Sequence, residues 1–337
     1  MNSESRHLLL LLILTFHALS ASGQPRLKRF LSRADSMLTA RYYRASHDST
    51  YIVRPEGKLT LKLRGNLSGN SLHAKGTIDG IRARTDLSTS HKATISIGAA
   101  YRGISLSYSI NPAKLAGFYK DYELNFAFYS GRFCIDASYQ RSLSLSGDMT
   151  VGEDAFRLER NEADMKVLNV TAYYVFNHRR YSVSAAYNQS YIQRRSAGSW
   201  LAGLSYQGGS IETSDDWKNQ HPDDYTVRIT VGHLGIGGGY GYNLVLGKRW
   251  LFNLTFLPTV VVYNRNKMTI DGESQHAGRM RFNMLFNERA AIVYNISPRY
   301  FAGASLVMTN SLFDDKHVIV NQNKWLARAF VGMRLWK

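Results

Sequence analysis

Polar and apolar side chains alternate along most of this chain. In "KLTLKLRG", Leu59, Leu61 and Leu63 alternate with Lys58, Thr60, Lys62 and Arg64. In "DYELNFAFYSGRFCIDASYQ", Tyr122, Leu124, Phe126 and Phe128 fall on one side of the repeat and Glu123 and Asn125 on the other. After Ser130, Gly131 and Arg132, the alternation resumes with Phe133, Ile135, Ala137 and Tyr139 set against Asp136, Ser138 and Gln140. A repeat of two puts successive side chains on opposite faces of a strand, so each segment has one greasy and one polar face. The pattern recurs at 58–66, 92–101, 103–110, 165–177, 180–190, 197–207, 237–247, 249–263, 280–296, 299–309 and 325–336. With the two strands of 122–140 these make thirteen.

Past the first twenty-three residues no apolar run is long enough for a membrane helix, so membrane insertion would require a closed barrel. Most of the segments are close to the ~9–11 residues of a tilted membrane strand, whereas soluble sandwiches commonly use strands of ~5–6. Tight arginine-bearing turns at 130–132, 177–180, 247–249 and 297–299 contrast with long polar connections at 144–164, 208–224, 264–278 and 310–324. Short turns at one end and long loops at the other are the barrel asymmetry, the short end being periplasmic. The fold expected is all-β, an antiparallel transmembrane β-barrel of 12 to 14 strands, because single-chain bacterial barrels carry even numbers. A thirteenth segment therefore means either a missed strand, within 72–84 or 225–232, or one segment wrongly divided.

The first residues obey a different rule. Arg6 and His7 precede the apolar run Leu8–Phe16, which passes through Ala18 and Leu19 into Ser20, Ala21, Ser22 and Gly23. This is the layout of a secretory signal, with 1–23 removed and the mature chain starting near Gln24. Residues 24–56 form a periplasmic segment with a short amphipathic helix: Leu27, Phe30, Leu31, Ala34, Met37 and Leu38 recur at helical spacing among Arg26, Lys28, Arg29 and Arg33. The barrel is assigned to 57–337.

Composition adds a charge problem. The net charge is +17, and removing 1–23 takes away one Arg and one Glu, leaving it unchanged. Such an excess selects anionic partners, and export argues against nucleic acid. Anionic outer-membrane lipid or lipopolysaccharide is the expected partner, besides the barrel-insertion machinery. Cys134 is the single cysteine, so there is no disulfide framework and no cysteine-built metal site.

The chemistry-bearing motifs are sparse. "GIGGGYGYNLVLGKRW" fails the dinucleotide pattern, since the sixth position from Gly235 is Tyr240 and from Gly237 is Tyr242. It fails the phosphate loop as well, having Gly247-Lys248-Arg249 where Ser or Thr should follow Lys. The histidines have no ligand spacing, and Asp215-Asp216 with Asp223-Asp224 lack the glycine-marked calcium loop. No catalytic residue, cofactor or metal is implied. The alternation instead nominates polar residues for the lumen: Lys62, Arg64, Glu123, Asp136, Arg289, Asn295, Arg328 and Arg334, with Asn125, Gln140, Asn243 and Asn253. Charges of both signs facing inward cross-brace a small barrel or line a pore. A structural or pore-type barrel is thus the functional expectation, with a lipid-acting barrel enzyme and a secreted soluble β-protein as alternatives. Glu288 breaks the pattern by sharing the apolar parity of Phe286 and Ile292, a conflict that a bulge or a rim position would remove.

Four blocks carry a family likeness: "DSTYI" (48–52), "QRRSAGS" (193–199), "GYGYNLVLGKRW" (239–250) and "FNERAAIVYNISPRYFAG" (286–303). On these the chain resembles a Gram-negative outer-membrane family, domain of unknown function 4421. The resemblance implies an outer-membrane β-barrel and carries over no catalytic residues. The end of the chain departs from what outer-membrane barrels lead one to expect: "VGMRLWK" keeps the alternating Val331, Met333 and Leu335 but finishes in Lys337 rather than an aromatic residue.

Overall fold

The computed structural model describes residues 47–335 except 56, 58, 79–80, 102–103, 111–120, 221–225, 271–272, 277–281 and 315–317, and before them Ser32, Arg33, Ser36, Met37 and Ala40. The signal segment 1–23 lies outside the described residues, as do Leu27, Phe30, Leu31, Ala34 and Leu38 of the expected amphipathic stripe. The chain divides into two units, Met1–Ala45 and Ser46–Lys337. In the first, Ser32, Arg33, Ser36, Met37 and Ala40 are helical and exposed. Among the described residues no helix is long and apolar enough to cross a membrane.

The second unit is a closed antiparallel barrel of twelve strands. In chain order these are β1 (Leu59–Ile78), β2 (Lys92–Tyr101), β3 (Ile104–Ile110), β4 (Tyr122–Tyr129), β5 (Phe133–Ser142) and β6 (Ala163–Val175). There follow β7 (Ala197–Thr213), β8 (Val227–Leu246), β9 (Trp250–Ile270), β10 (Phe282–Asn295), β11 (Tyr300–Asp314) and β12 (Val318–Leu335). Each strand pairs with the next, and β12 closes on β1 from Val318↔Gly76 to Leu335↔Leu59. Closure leaves no edge, which is what lets a sheet sit in hydrocarbon without exposing unpaired amides.

The thirteenth segment is resolved by the plug. Residues 180–190 are not a strand: Val183–Tyr187 form a short helix, α1, capped by the Ser182 side chain, which accepts from the Ala185 amide at 3.2 Å. The regions 72–84 and 225–232 hold no separate barrel strand. They belong to the loop-end half of β1, to the added strand Ile81–Thr89, and to the start of β8. Ile81–Thr89 pairs with β1 and carries Leu145–Val151 and Asp154–Leu158, so a three-strand flap widens the sheet beyond the barrel wall.

The connections 130–132, 247–249 and 296–299 lie at one end, hereafter the turn end. Gly247 and Lys248 both have positive φ, 57° and 62°, the backbone that a tight right-twisted hairpin requires. The phosphate-loop look-alike is therefore a hairpin turn. Its Tyr240 and Tyr242 point outward, 43% and 42% exposed, while a Cβ at Gly241 would strike the Tyr181 hydroxyl and Thr255 inside. Near the turn end the outer wall carries an aromatic belt: Phe133 on Tyr174 at 5.2 Å, Trp200 on Tyr240 at 5.2 Å, Trp250 on Tyr294 at 4.6 Å. Between this belt and Tyr122, Tyr139 and Tyr206 the outward face is apolar, with Leu63, Leu124, Phe126, Leu204, Leu254 and Phe256 exposed. Such a girdled band is the surface of a membrane barrel.

Glu288 keeps its outward parity without a bulge. It pairs with Phe256 and Met308 in unbroken register, six residues from Tyr294, and has no hydrogen bond or ion pair among the described residues. Neither a bulge nor a rim position relieves it.

Candidate functional site, the plugged lumen

Eight strands enclose just enough room for their own side chains, and sixteen or more leave a channel, so twelve strands leave a lumen that something must fill. Here the connection between β6 and β7, residues 176–196, folds back into the turn end. Its side chains are among the most buried of the protein, Tyr181, Ala186 and Gln189 being 0% exposed.

The plug is tied to the wall around its circumference. Lys62 Nζ on β1 donates to the Tyr187 carbonyl at 3.0 Å and to Gln189 Oε1 at 2.8 Å. Arg334 on β12 donates from Nε to the Gln189 carbonyl at 3.1 Å, from Nη2 to Asn295 Oδ1 at 2.9 Å, and stacks on Phe301 at 4.6 Å. Asn243 on β8 donates to the Ser182 carbonyl at 3.0 Å, and the Tyr187 hydroxyl donates to Asn253 Oδ1 on β9 at 2.6 Å. Arg289 of β10 lies 5.8 Å from the Tyr187 ring centroid, and Tyr129 of β4 packs on that ring at 6.3 Å.

Beyond the plug, toward the loop end, the lumen is crossed by polar bridges. Arg289 Nη1 meets Asp136 Oδ2 at 2.5 Å, and the Tyr129 hydroxyl donates to the other oxygen of the same carboxylate. Thr171 donates to Asn287 at 3.1 Å, and Asn287 donates to Ser205 at 2.9 Å. Lys324 lies 3.7 Å from Glu123 and donates to Ser138 at 3.2 Å. Last, Gln207 donates to Gln322 at 3.0 Å and Gln322 to Asn70 at 3.3 Å. The Arg289–Asp136, Thr171–Asn287–Ser205, Lys324–Glu123, Lys324–Ser138 and Gln207–Gln322 bridges join strands that are not neighbours in the wall and act as struts across the lumen. Tyr129–Asp136 and Gln322–Asn70 link adjacent strands. The polar faces place Lys62, Arg64, Glu123, Asp136, Arg289, Asn295, Arg328 and Arg334 on the inner side. Asp136 meets Arg289, Asn295 meets Arg334, and Lys62 and Arg334 meet on Gln189. Glu123 finds Lys324, and Arg64 and Arg328 sit together on one wall.

The sequence reading missed the plug residues Tyr181, Ser182, Tyr187, Gln189 and Gln193. Val183, Ala185 and Tyr187 alternate with Ser182 and Ser184 as a strand would, so periodicity hid them. The even-number rule was the signal that one segment did not belong to the wall.

A clasp joins the plug to the segment that precedes β1. Ile52–Val53 pairs with Ile192–Gln193 as a two-stranded sheet, and the Asp48 amide donates to the Arg179 carbonyl at 2.9 Å. The Asp48 carboxylate accepts from the Thr50 amide and hydroxyl at 3.0 and 2.7 Å, which holds its pKa below the ordinary value. His47 Nδ1 donates to the His178 carbonyl at 3.2 Å, its ring edge-on to Tyr191 at 4.8 Å. Burial pushes the His47 pKa down to about 4, against the pull of that carbonyl and with help from Arg54 and His178. His178, whose Nε2 accepts from Arg132 at 3.0 Å, is also lowered, first by burial and then by the Arg132 charge.

No group of three or more His, Cys, Asp or Glu among the described residues could hold a metal ion. Cys134 is a buried free thiol.

Solved structures similar in fold are bacterial outer-membrane proteins. The outer membrane protease OmpT of Escherichia coli is 9% identical, with 83% of this chain and 97% of that chain covered at a TM-score of 0.41. The outer membrane protein OprG of Pseudomonas aeruginosa is 11% identical over 85% and 100%, with a TM-score of 0.30. The toluene transporter TodX of P. putida is 8% identical over 84% and 91%, with a TM-score of 0.28. No curated protein matches the chain. The family model described as "Domain of unknown function (DUF4421)" matches residues 46–334, from the clasp to the last turn of alternating residues in β12, and the protein is a member of that family.

Proposed function

We propose that this protein is an outer-membrane β-barrel held closed by its own plug, a structural barrel rather than an open pore. The observation that carries this reading is the tethering of residues 176–196 to the inner faces of β1, β8, β9 and β12. The struts beyond the plug support it, because each spans the lumen where a solute would have to pass. The outward apolar band between aromatic belts supports insertion in a bilayer over a soluble β-protein. On this reading residues 1–23 are a cleaved signal, 24–56 lie in the periplasm and 57–337 form the barrel. The arginine-bearing turns then face the periplasm, where Arg132, Arg249 and Arg299 suit anionic headgroups, and insertion depends on the barrel-assembly machinery.

Planar-bilayer recording tests the reading. The intact protein is expected to give no steady conductance, and deletion of residues 183–190 is expected to open one. A steady, ion-sized conductance from the intact chain would sink it.

A further inference from the structure

We propose that the lumen contains a binding site for a small oxyanion of the phosphate or sulfate type, gripped by Arg64 and Arg328. The site goes beyond the plugged-barrel reading and does not depend on whether the barrel conducts.

Between the Tyr187 ring of the plug and the Lys324 strut lies a cavity of about 100 Å³. A water needs about 10–15 Å³ of such space, so the cavity has room for a compact ion together with waters. Four cations reach its walls, Arg64, Arg289, Lys324 and Arg328, against two carboxylates, Glu123 and Asp136. Both carboxylates are already engaged: Asp136 by Arg289 and the Tyr129 hydroxyl, Glu123 by Lys324, Asn125 and Ser68. Two guanidiniums are left over. Arg64 is only 9% exposed, and neither it nor Arg328 makes a hydrogen bond or ion pair among the described residues.

Their placement is specific. Arg64 pairs with Phe330 and Asn66 with Arg328, so the two arginines are diagonal neighbours on the inner face of β1 and β12, with backbones about 7–8 Å apart. The Arg64 guanidinium lies flat against Gly98, where a Cβ would come within 3.0 Å of its Cζ and Nη2. The missing side chain at 98 thus seats the fork and aims it. Glu123 and Asp136 act on Arg328 only from beyond ion-pair distance, and two neighbouring guanidiniums in a low-dielectric interior are costly, a cost that an anion between them offsets. Planar forks of fixed direction match an oxyanion, which can accept two hydrogen bonds from each, better than a spherical halide.

The test uses the folded full-length barrel in detergent, titrated with inorganic phosphate by calorimetry. Folding of each variant is verified by heat-modifiable gel migration. One saturable site per barrel is expected. Arg64→Gln and Arg328→Gln should each weaken it by about tenfold or more, because each removes charge-assisted hydrogen bonds to the anion. Gly98→Ala keeps both charges and should weaken binding by displacing the fork, whereas Arg249→Gln at the turn end should leave it unchanged. Absence of saturable phosphate binding to the wild-type barrel overturns the proposal, whether or not the arginine variants fold. So does equal affinity for chloride, or unchanged binding in all three cavity variants.

Discussion

Lys62 Nζ donates at 2.8 Å to Gln189 Oε1, joining the first barrel strand to a plug residue 127 positions away, with both groups buried. The same ammonium holds the Tyr187 carbonyl at 3.0 Å. One cation therefore holds the last residue of α1 and the residue two positions beyond it, which gives the first prediction. Lys62→Met leaves the Tyr187 carbonyl and the Gln189 amide oxygen without their donor, costing about 1–3 kcal/mol. Urea titration of the heat-modifiable band should show a lower midpoint, and bilayer recording should show transient openings absent from the wild type. An unchanged midpoint would mean the ammonium is dispensable.

Gly241→Ala is predicted to destabilise by about 1–3 kcal/mol, because its Cβ would occupy space taken by the Tyr181 hydroxyl. Tyr181→Phe removes that oxygen and should recover part of the loss in the double variant. Independent, additive effects of the two changes would argue that the residues do not meet.

Removing one member of the Arg289–Asp136 pair strands a buried charge, so Asp136→Ala should cost about 3–5 kcal/mol. Arg289→Met combined with Asp136→Leu should cost less than either single change. A double-variant cycle on unfolding midpoints measures this, and a simple sum would refute the pairing.

The clasp is predicted to weaken in acid. His47 is neutral in the fold, with its pKa depressed from 6.5 to about 4, so the unfolded chain binds the proton first. The stability it contributes is complete above pH 6.5 and declines as pH falls toward 4. His178, also lowered and facing Arg132, acts in the same direction. Proteolysis of the 46–56 segment should accelerate over that window, and His47→Phe should flatten the response. A rate independent of pH between these limits would contradict the assignment.

Glu288→Leu should stabilise the barrel in bilayers by roughly 1 kcal/mol, since the carboxylate faces outward mid-band between Phe256 and Met308. Folding titrations in lipid vesicles measure the difference. A loss of stability would point to a partner for the carboxylate on the outer wall.

Much of the wall was legible in the sequence because a strand with lipid on one side and polar contents on the other must alternate. That physical demand is local, two residues long, and repeated in every strand. It placed Leu61 and Leu63 opposite Lys62 and Arg64, and it turned Gly247-Lys248 into a hairpin rather than a phosphate loop. It also set the parity of Glu288, though the relief expected from a bulge does not exist there. The plug was illegible for the same reason: Val183, Ala185 and Tyr187 alternate with serines, and nothing local distinguishes a short buried helix from a strand. Its fate was settled by the empty space inside a twelve-strand wall and by donors such as Lys62, Asn243 and Arg334, all supplied from distant strands. Pairing within the lumen belongs to the tertiary structure alone, since Asp136 and Arg289 are 153 residues apart and only closure of the barrel makes them face each other. The sequence by itself determined which side of each strand is polar; the closed sheet decided which polar groups meet, and left Arg64 and Arg328 without a hydrogen bond or ion pair among the described residues.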